Sequence, residues 1–224
     1  MAVPDTLRGF RTQFLYTMSR VVCDNNPERI YIPEGQEDLD IIEDGVIVEV
    51  VQVKNLTAPL TYSNLHSSAN STSFFQRCQE VMTNHPNAIL KLASFGAISR
   101  QLRDPNRLTT ALKNDVKISN DKINTLVSSF TAENVNENDL YDNVIERLKS
   151  KFPSFNGEWE VRYLLQWISE LAEKQQSLTF TQFNSELLAL REVEVKQGIS
   201  QSQLGVRVKR LFKNDKLNES NSIL

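Results

Sequence analysis

The chain of 224 residues is poor in the residues that would identify many classes of protein. Its two cysteines, Cys23 and Cys78, lie far apart and form no metal-type pair, so in a reducing compartment they read as packing residues. Its two histidines, His66 and His85, have no Cys or His partner at ligand spacing, which argues against a zinc site. The seven glycines are scattered and build no phosphate-binding loop, so ATP hydrolysis by this chain is not expected. No Ser–His–Asp set is visible. No apolar run approaches the ~20 residues that cross a bilayer. The start "MAVPDTLRGF" lacks a signal-peptide pattern, so a cytoplasmic location is expected. A net charge of −3 and a pI near 5.6 argue against a general polyanion binder. A local basic face remains open, because residues 77–122 hold eight Lys or Arg against four Asp or Glu.

What is present is an alternation of helix and strand, then helix. Leu7, Phe10, Phe14, Leu15, Met18, Val21 and Val22 recur at helical spacing and place one apolar stripe on a first helix. "NNP" stops it. Residues 29–32 read as a strand. "DLDIIEDGVIVEVVQVK" reads as a hairpin turning at 43–45, with β-branched residues over 46–53. The Ser/Asn-rich segment 55–73 reads as a loop, of a length that often carries function. "FFQRCQEVMTNH" reads as a helix and 88–94 as a buried strand. This order predicts an α/β core with a mixed sheet. Beyond residue 96 the spacing is almost entirely helical, over 106–114, 119–130, 138–152, 158–176 and 179–193, with Asn120, Asn138 and Thr181 as N-caps. The expected organisation is a core over 1–115, a helical extension over 116–212 and a frayed polar tail over 213–224. The tail shows no stop signal for a finished fold, so the chain is expected to be the N-terminal part of a larger protein.

Strand alternation puts Asp38 and Asp40 on one face, and Gln52 and Lys54 on one face of the returning strand. A hairpin closing near Gly45 brings these faces together, and Glu34 lies just upstream. Carboxylate and amide oxygens are hard ligands suited to Mg²⁺. A bound Mg²⁺ polarises phosphoryl oxygens and acidifies water. The Lys54 ammonium could orient that water or stabilise developing negative charge. Ordinary cross-strand salt bridges are the competing reading of the same residues.

The segment "D-L-D…V-V-Q-V-K" resembles the signature of the PD-(D/E)XK nuclease superfamily, in the Mrr-like variant with glutamine before the lysine. The blocks "RGFRTQFLYTM", "PEGQEDLDI…VVQVKN" and "SFFQRCQEVMTNHPNAILKLASFG" narrow the likeness. They resemble the effector nuclease domains at the N-terminus of bacterial anti-phage defence proteins, including CBASS effectors and antiviral STAND NTPases. The resemblance implies a restriction-endonuclease-like fold and hydrolysis of double-stranded DNA with Mg²⁺, Mn²⁺ serving as a substitute. It matches Lys54 and Gln52 to the family lysine and glutamine, and Glu34 to the preceding acid. The catalytic aspartate falls on "EDLD", either Asp38 or Asp40. Glutamine at position 52 removes one negative ligand, so modest metal affinity is expected.

The resemblance also places Gln13, on the first helix, facing the site. It offers Arg77 as a phosphate contact, and the basic residues from Arg100 and Arg103 to Lys122 as a hold on the DNA backbone. Nothing resembles a base-reading element, so little sequence preference is expected. Cutting both strands implies a dimer or higher homo-oligomer, and a fused ATPase or sensor domain is expected beyond this chain. The alternative is a catalytically degenerate DNA-binding or oligomerisation module on the same fold.

Overall fold

The computed structural model describes residues 5–24, 26–65, 72–152, 155 and 157–197. Helix α1 (Asp5–Cys23) buries Phe14, Leu15, Met18, Val21 and Val22, the stripe expected from spacing. Phe10 departs from it, remaining 46% exposed and stacking on Phe14. Strands β1 (Ile30–Pro33), β2 (Leu39–Glu43) and β3 (Val46–Lys54) follow as an antiparallel meander. Asp44 and Gly45 turn the hairpin with φ of 51° and 76°. That left-handed pair is what Asp-Gly supplies in a two-residue turn.

Helix α2 (Phe74–Asn84) opens on a capping box, Ser73 Oγ accepting from Gln76 N while Gln76 Oε1 accepts from Ser73 N. Strand β4 (Ile89–Ser94) returns parallel to β3. Next come α3 (Arg100–Arg103), α4 (Pro105–Lys113) and α5 (Ile123–Ser129). Asp104 caps α4, with Pro105 in its first turn. Strand β5 (Phe130–Asn134) then pairs parallel to β4. After α6 (Glu137–Lys151) and α7 (Glu158–Glu173), the two-residue β6 (Leu178–Thr179) adds to β1. The sheet order is β5-β4-β3-β2-β1-β6. The α/β class with a mixed sheet flanked by helices, expected from sequence, is therefore the class observed.

Alternation and register place Val50, Leu90, Leu92, Phe130 and Ala132 on one face of the sheet. The main apolar cluster, with Phe74, Phe75, Leu102, Leu108, Leu112 and Leu126, forms there. Phe74 and Phe75 pack edge to face, 5.3 Å between centroids, which makes them core residues. Val51 and Glu49 face the other way, toward α1.

Several local expectations are corrected. The spacing beyond residue 96 reads as almost entirely helical, with Phe130 and Thr179 at the edges of two helical stretches, yet Phe130–Asn134 and Leu178–Thr179 join the sheet. Each strand is too short to display alternation against helical neighbours, and pairing with an existing strand decides its state. The cap of α6 is Asn136, whose side chain accepts from Asn138 N and Asp139 N, so Asn138 lies within the first turn. Asn120 and Thr181 are not caps either, since α5 is preceded by Lys122 and α8 (Phe180–Gln197) has begun before Thr181. The chain divides into two compact units after Phe180. The first holds the whole sheet, and the second holds the rest of α8 among the described residues. The tail over 213–224 lies outside the described residues.

Candidate functional site

The β2–β3 ladder pairs Leu39 with Val51, so Asp38, one residue before β2, comes to lie across from Gln52. The Asp38 carboxylate uses one oxygen, Oδ2, to accept from Gln52 Nε2 and from Val53 N, the latter at 2.6 Å. Gln52 is 5% exposed, so this amide is committed to the protein interior. Glu34 sits at φ 55°, a left-handed conformation unusual for a non-glycine residue. Its N–H donates to Asp38 O at 3.1 Å, closing a tight loop between β1 and β2. Gln13 Nε2 donates to Glu34 Oε1 and, at 3.3 Å, to Asp38 O.

Asp38, Gln52 and Glu34 are thus brought together, and Lys54 completes the corner. It ends β3, is half-buried, and forms no ion pair among the described residues. Burial pushes the Asp38 carboxyl up to about 6; the Lys54 charge and the Val53 N–H pull against that shift, while the Glu34 charge adds to it.

Asp40 is separated from this group. Its Oδ2 accepts from Gln36 N at 2.7 Å, and a Cβ at Gly35 would overlap its carboxylate. Burial pushes its pKa up to about 6, against the backbone N–H groups of Gln36 and Glu37. Its other oxygen, Oδ1, is buried without a hydrogen-bond partner. Alternation left Asp38 and Asp40 equivalent. The structure separates them, because only Asp38 lies at the open end of the ladder beside Gln52 and Lys54.

Gln13 is 7% exposed, and its amide is engaged by Glu34 and the Asp38 carbonyl, on the side of the site. The Arg77 guanidinium, expected from the resemblance as a phosphate contact, forks onto Glu37, Nε to Oε1 at 2.5 Å and Nη2 to Oε2 at 2.8 Å, so its charge is paired with a carboxylate here. Glu37 was not singled out from sequence. It is 8% exposed, and nothing in its spacing distinguishes it from the neighbouring acids. Arg100 and Arg103 are exposed on α3. Arg103 lines a shallow hollow with Leu102, Pro105, Leu108, Val127, Phe130 and Ala132. His85 accepts from Ile47 N at 3.3 Å, and His66 lies outside the described residues.

The donor set fits a hard cation only sparingly. Glu34 and Asp38 are carboxylates, and Gln52 carries an amide oxygen. Among the described residues no three His, Cys, Asp or Glu side chains converge as a metal site. The hydrogen bonds to Asp38 from Gln52 and Val53 both fall on Oδ2, so neither engages Oδ1.

No family model and no curated protein matches this chain. A solved structure similar to it is the Acinetobacter baumannii Cap4 SAVED/CARF-domain containing receptor with the cyclic trinucleotide 2'3'3'-cAAA. The TM-score is 0.49 at 13% identity, over 87% of this chain and 50% of that one. This chain therefore spans about half the length of that structure. Likeness at that identity leaves the chemistry to the residues themselves. Among the described residues no helix is long and apolar enough to cross a membrane.

Proposed function

We propose that the chain is a divalent-metal-dependent endonuclease acting on double-stranded DNA with little sequence preference, on a restriction-endonuclease-like core. Its place would be as the effector domain of a bacterial anti-phage defence protein. The observation that carries the reading is the convergence of Asp38, Gln52, Glu34 and Lys54, which has no ion pair among the described residues, at one end of the β2–β3 ladder.

Asp38 and the Gln52 amide oxygen, with Glu34 beside them, would hold Mg²⁺ or Mn²⁺. The bound cation supplies Lewis acidity toward a phosphoryl oxygen and acidifies water. Lys54, without an ion pair among the described residues, would steady the attacking water or the charge that builds on the phosphorane. Gln13 fixes Glu34, and the Val53 N–H fixes Asp38 Oδ2. Exposed cations such as Arg100 and Arg103 would engage backbone phosphates, giving salt-dependent affinity. Scission of both strands would then require two copies.

Plasmid nicking with Mg²⁺ or Mn²⁺ by the wild type, Lys54→Ala and Asp38→Asn tests this. The reading holds if only the wild type cuts, and is lost if all three nick alike. A degenerate DNA-binding module is the second reading. It is favoured by the small number of carboxylates and by the two protein hydrogen bonds already on Asp38. Salt-sensitive DNA retention without cleavage by the wild type would select it.

A further inference from the structure

The loop between β1 and β2 is tied at three points. From α1, Gln13 holds Glu34 and the Asp38 carbonyl. From β2, Asp40 holds the Gln36 N–H. From α2, Arg77 holds Glu37 through two parallel bonds and donates a third, Nη1 to Thr72 O at 3.0 Å. Glu37 immediately precedes Asp38, and its side chain is 3% exposed. Burial raises its pKa while Arg77 and the more distant Lys54 pull it down.

We propose that Arg77 is a positioning residue: with Glu37 it forms a clamp that presents Asp38 to Gln52, Val53 and Lys54. The functional consequence of the clamp rests on the nuclease reading; the clamp itself does not. Adjacent Cα atoms are ~3.8 Å apart, so a displacement of Glu37 is transmitted to Asp38 with little loss. Removing Arg77 leaves a carboxylate buried and unpaired, a costly state relieved by moving that carboxylate outward. Such a movement withdraws Asp38 Oδ2 from the Val53 N–H. Lysine carries the charge but not the planar fork, so it restores the clamp only in part. A misplacement of ~1 Å in a reacting group can cost ~10²-fold in rate, which is the scale at stake if Asp38 is a metal ligand.

The test compares wild type, Arg77→Ala, Arg77→Lys and Glu37→Gln by native-state amide exchange, Mn²⁺ titration calorimetry, plasmid cleavage and DNA binding across a salt series. In Arg77→Ala the Val53 amide should lose at least about tenfold protection relative to the Leu92 amide of the neighbouring strand. Arg77→Lys and Glu37→Gln should fall between Arg77→Ala and wild type. Mn²⁺ affinity and kcat should fall in parallel, with DNA affinity and its salt dependence unchanged. Equal loss at Val53 and Leu92 would mean general destabilisation and overturn the clamp, as would unchanged Val53 protection. Weaker DNA binding with a salt slope reduced by about one, and Val53 protection intact, would make Arg77 a phosphate contact and also overturn it. A wild type that neither binds Mn²⁺ nor cuts, but shows the Val53 effect in Arg77→Ala, would leave the clamp standing and remove the nuclease reading.

Discussion

Two polar regions of the sheet differ in how their charges are settled. On the face toward α1, Arg20 forks onto Glu49 at 2.6 and 2.8 Å, and Lys91 reaches the same carboxylate at 3.2 Å. Beside them the Tyr16 hydroxyl donates to Glu133 Oε1 at 2.6 Å. Burial pushes Glu49 up, but the hydrogen bond and charge of Arg20, and then Lys91, outweigh it, so its pKa ends below the usual carboxylate value. At the Asp38 corner the balance is reversed. Burial wins, Asp38 is pushed up to about 6, and Lys54 has no ion-pair partner among the described residues. Both regions are charged and at least partly buried, and only the first pairs its cations with a carboxylate among the described residues. A carboxylate left short of positive charge beside an unpaired ammonium is the arrangement expected where a cation or phosphate completes the site. A completed network is the arrangement expected of structure.

Substitutions should separate the two regions. Lys54→Ala is expected to lower cleavage by roughly 10²-fold or more, with no loss of melting temperature, measured by single-turnover nicking and thermal unfolding. Cleavage within a few-fold of wild type would place Lys54 outside the chemistry. Glu49→Ala should do the opposite. It leaves Arg20 and Lys91 facing an emptied, largely buried site and should destabilise by about 3 kcal/mol in urea unfolding, with kcat per folded molecule unchanged.

The pH dependence follows from the same carboxylate. The folded-state pKa of Glu49 lies below its unfolded value of 4.5, so its contribution is fully present above that value. The contribution fades as pH falls through 4.5 toward the folded value. Wild-type stability should therefore drop in this window more steeply than that of Glu49→Gln, as followed by urea midpoints. Parallel curves would mean that the network contributes little. The smallest effect is expected at the hairpin that joins the regions. Gly45 has φ 76° with open space around it, so Gly45→Ala should cost about 1 kcal/mol through backbone strain alone.

Much of the fold was legible because burial leaves a periodic trace. The helix of Phe14 and Met18, the hairpin turning at Asp44 and Gly45, the helix of Phe74 and Phe75, and the strand of Leu90 and Leu92 all lie where the spacing put them. Short strands at the sheet edges left no such trace. Residues Phe130–Asn134 become a strand because β4 offers a partner, and Leu178–Thr179 because β1 does. The site was legible in part. The "QVK" motif marks Gln52 and Lys54 on one face of a strand, and the local run of acids marks the segment that meets it.

By itself, then, the sequence determined an α/β mixed sheet, a first helix with one buried stripe, and a hairpin whose arms carry carboxylates opposite an amide and an ammonium. These depend on local conformation and on the period of apolar residues, which neighbours along the chain already specify. Tertiary structure alone decided that Asp38 rather than Asp40 joins Gln52, which acid Gln13 holds, that Arg77 forks onto Glu37, and that Glu37 is buried. Those outcomes depend on the irregular turn from Glu34 to Asp38 and on partners 14 to 40 residues away in sequence, and no repeating pattern encodes them.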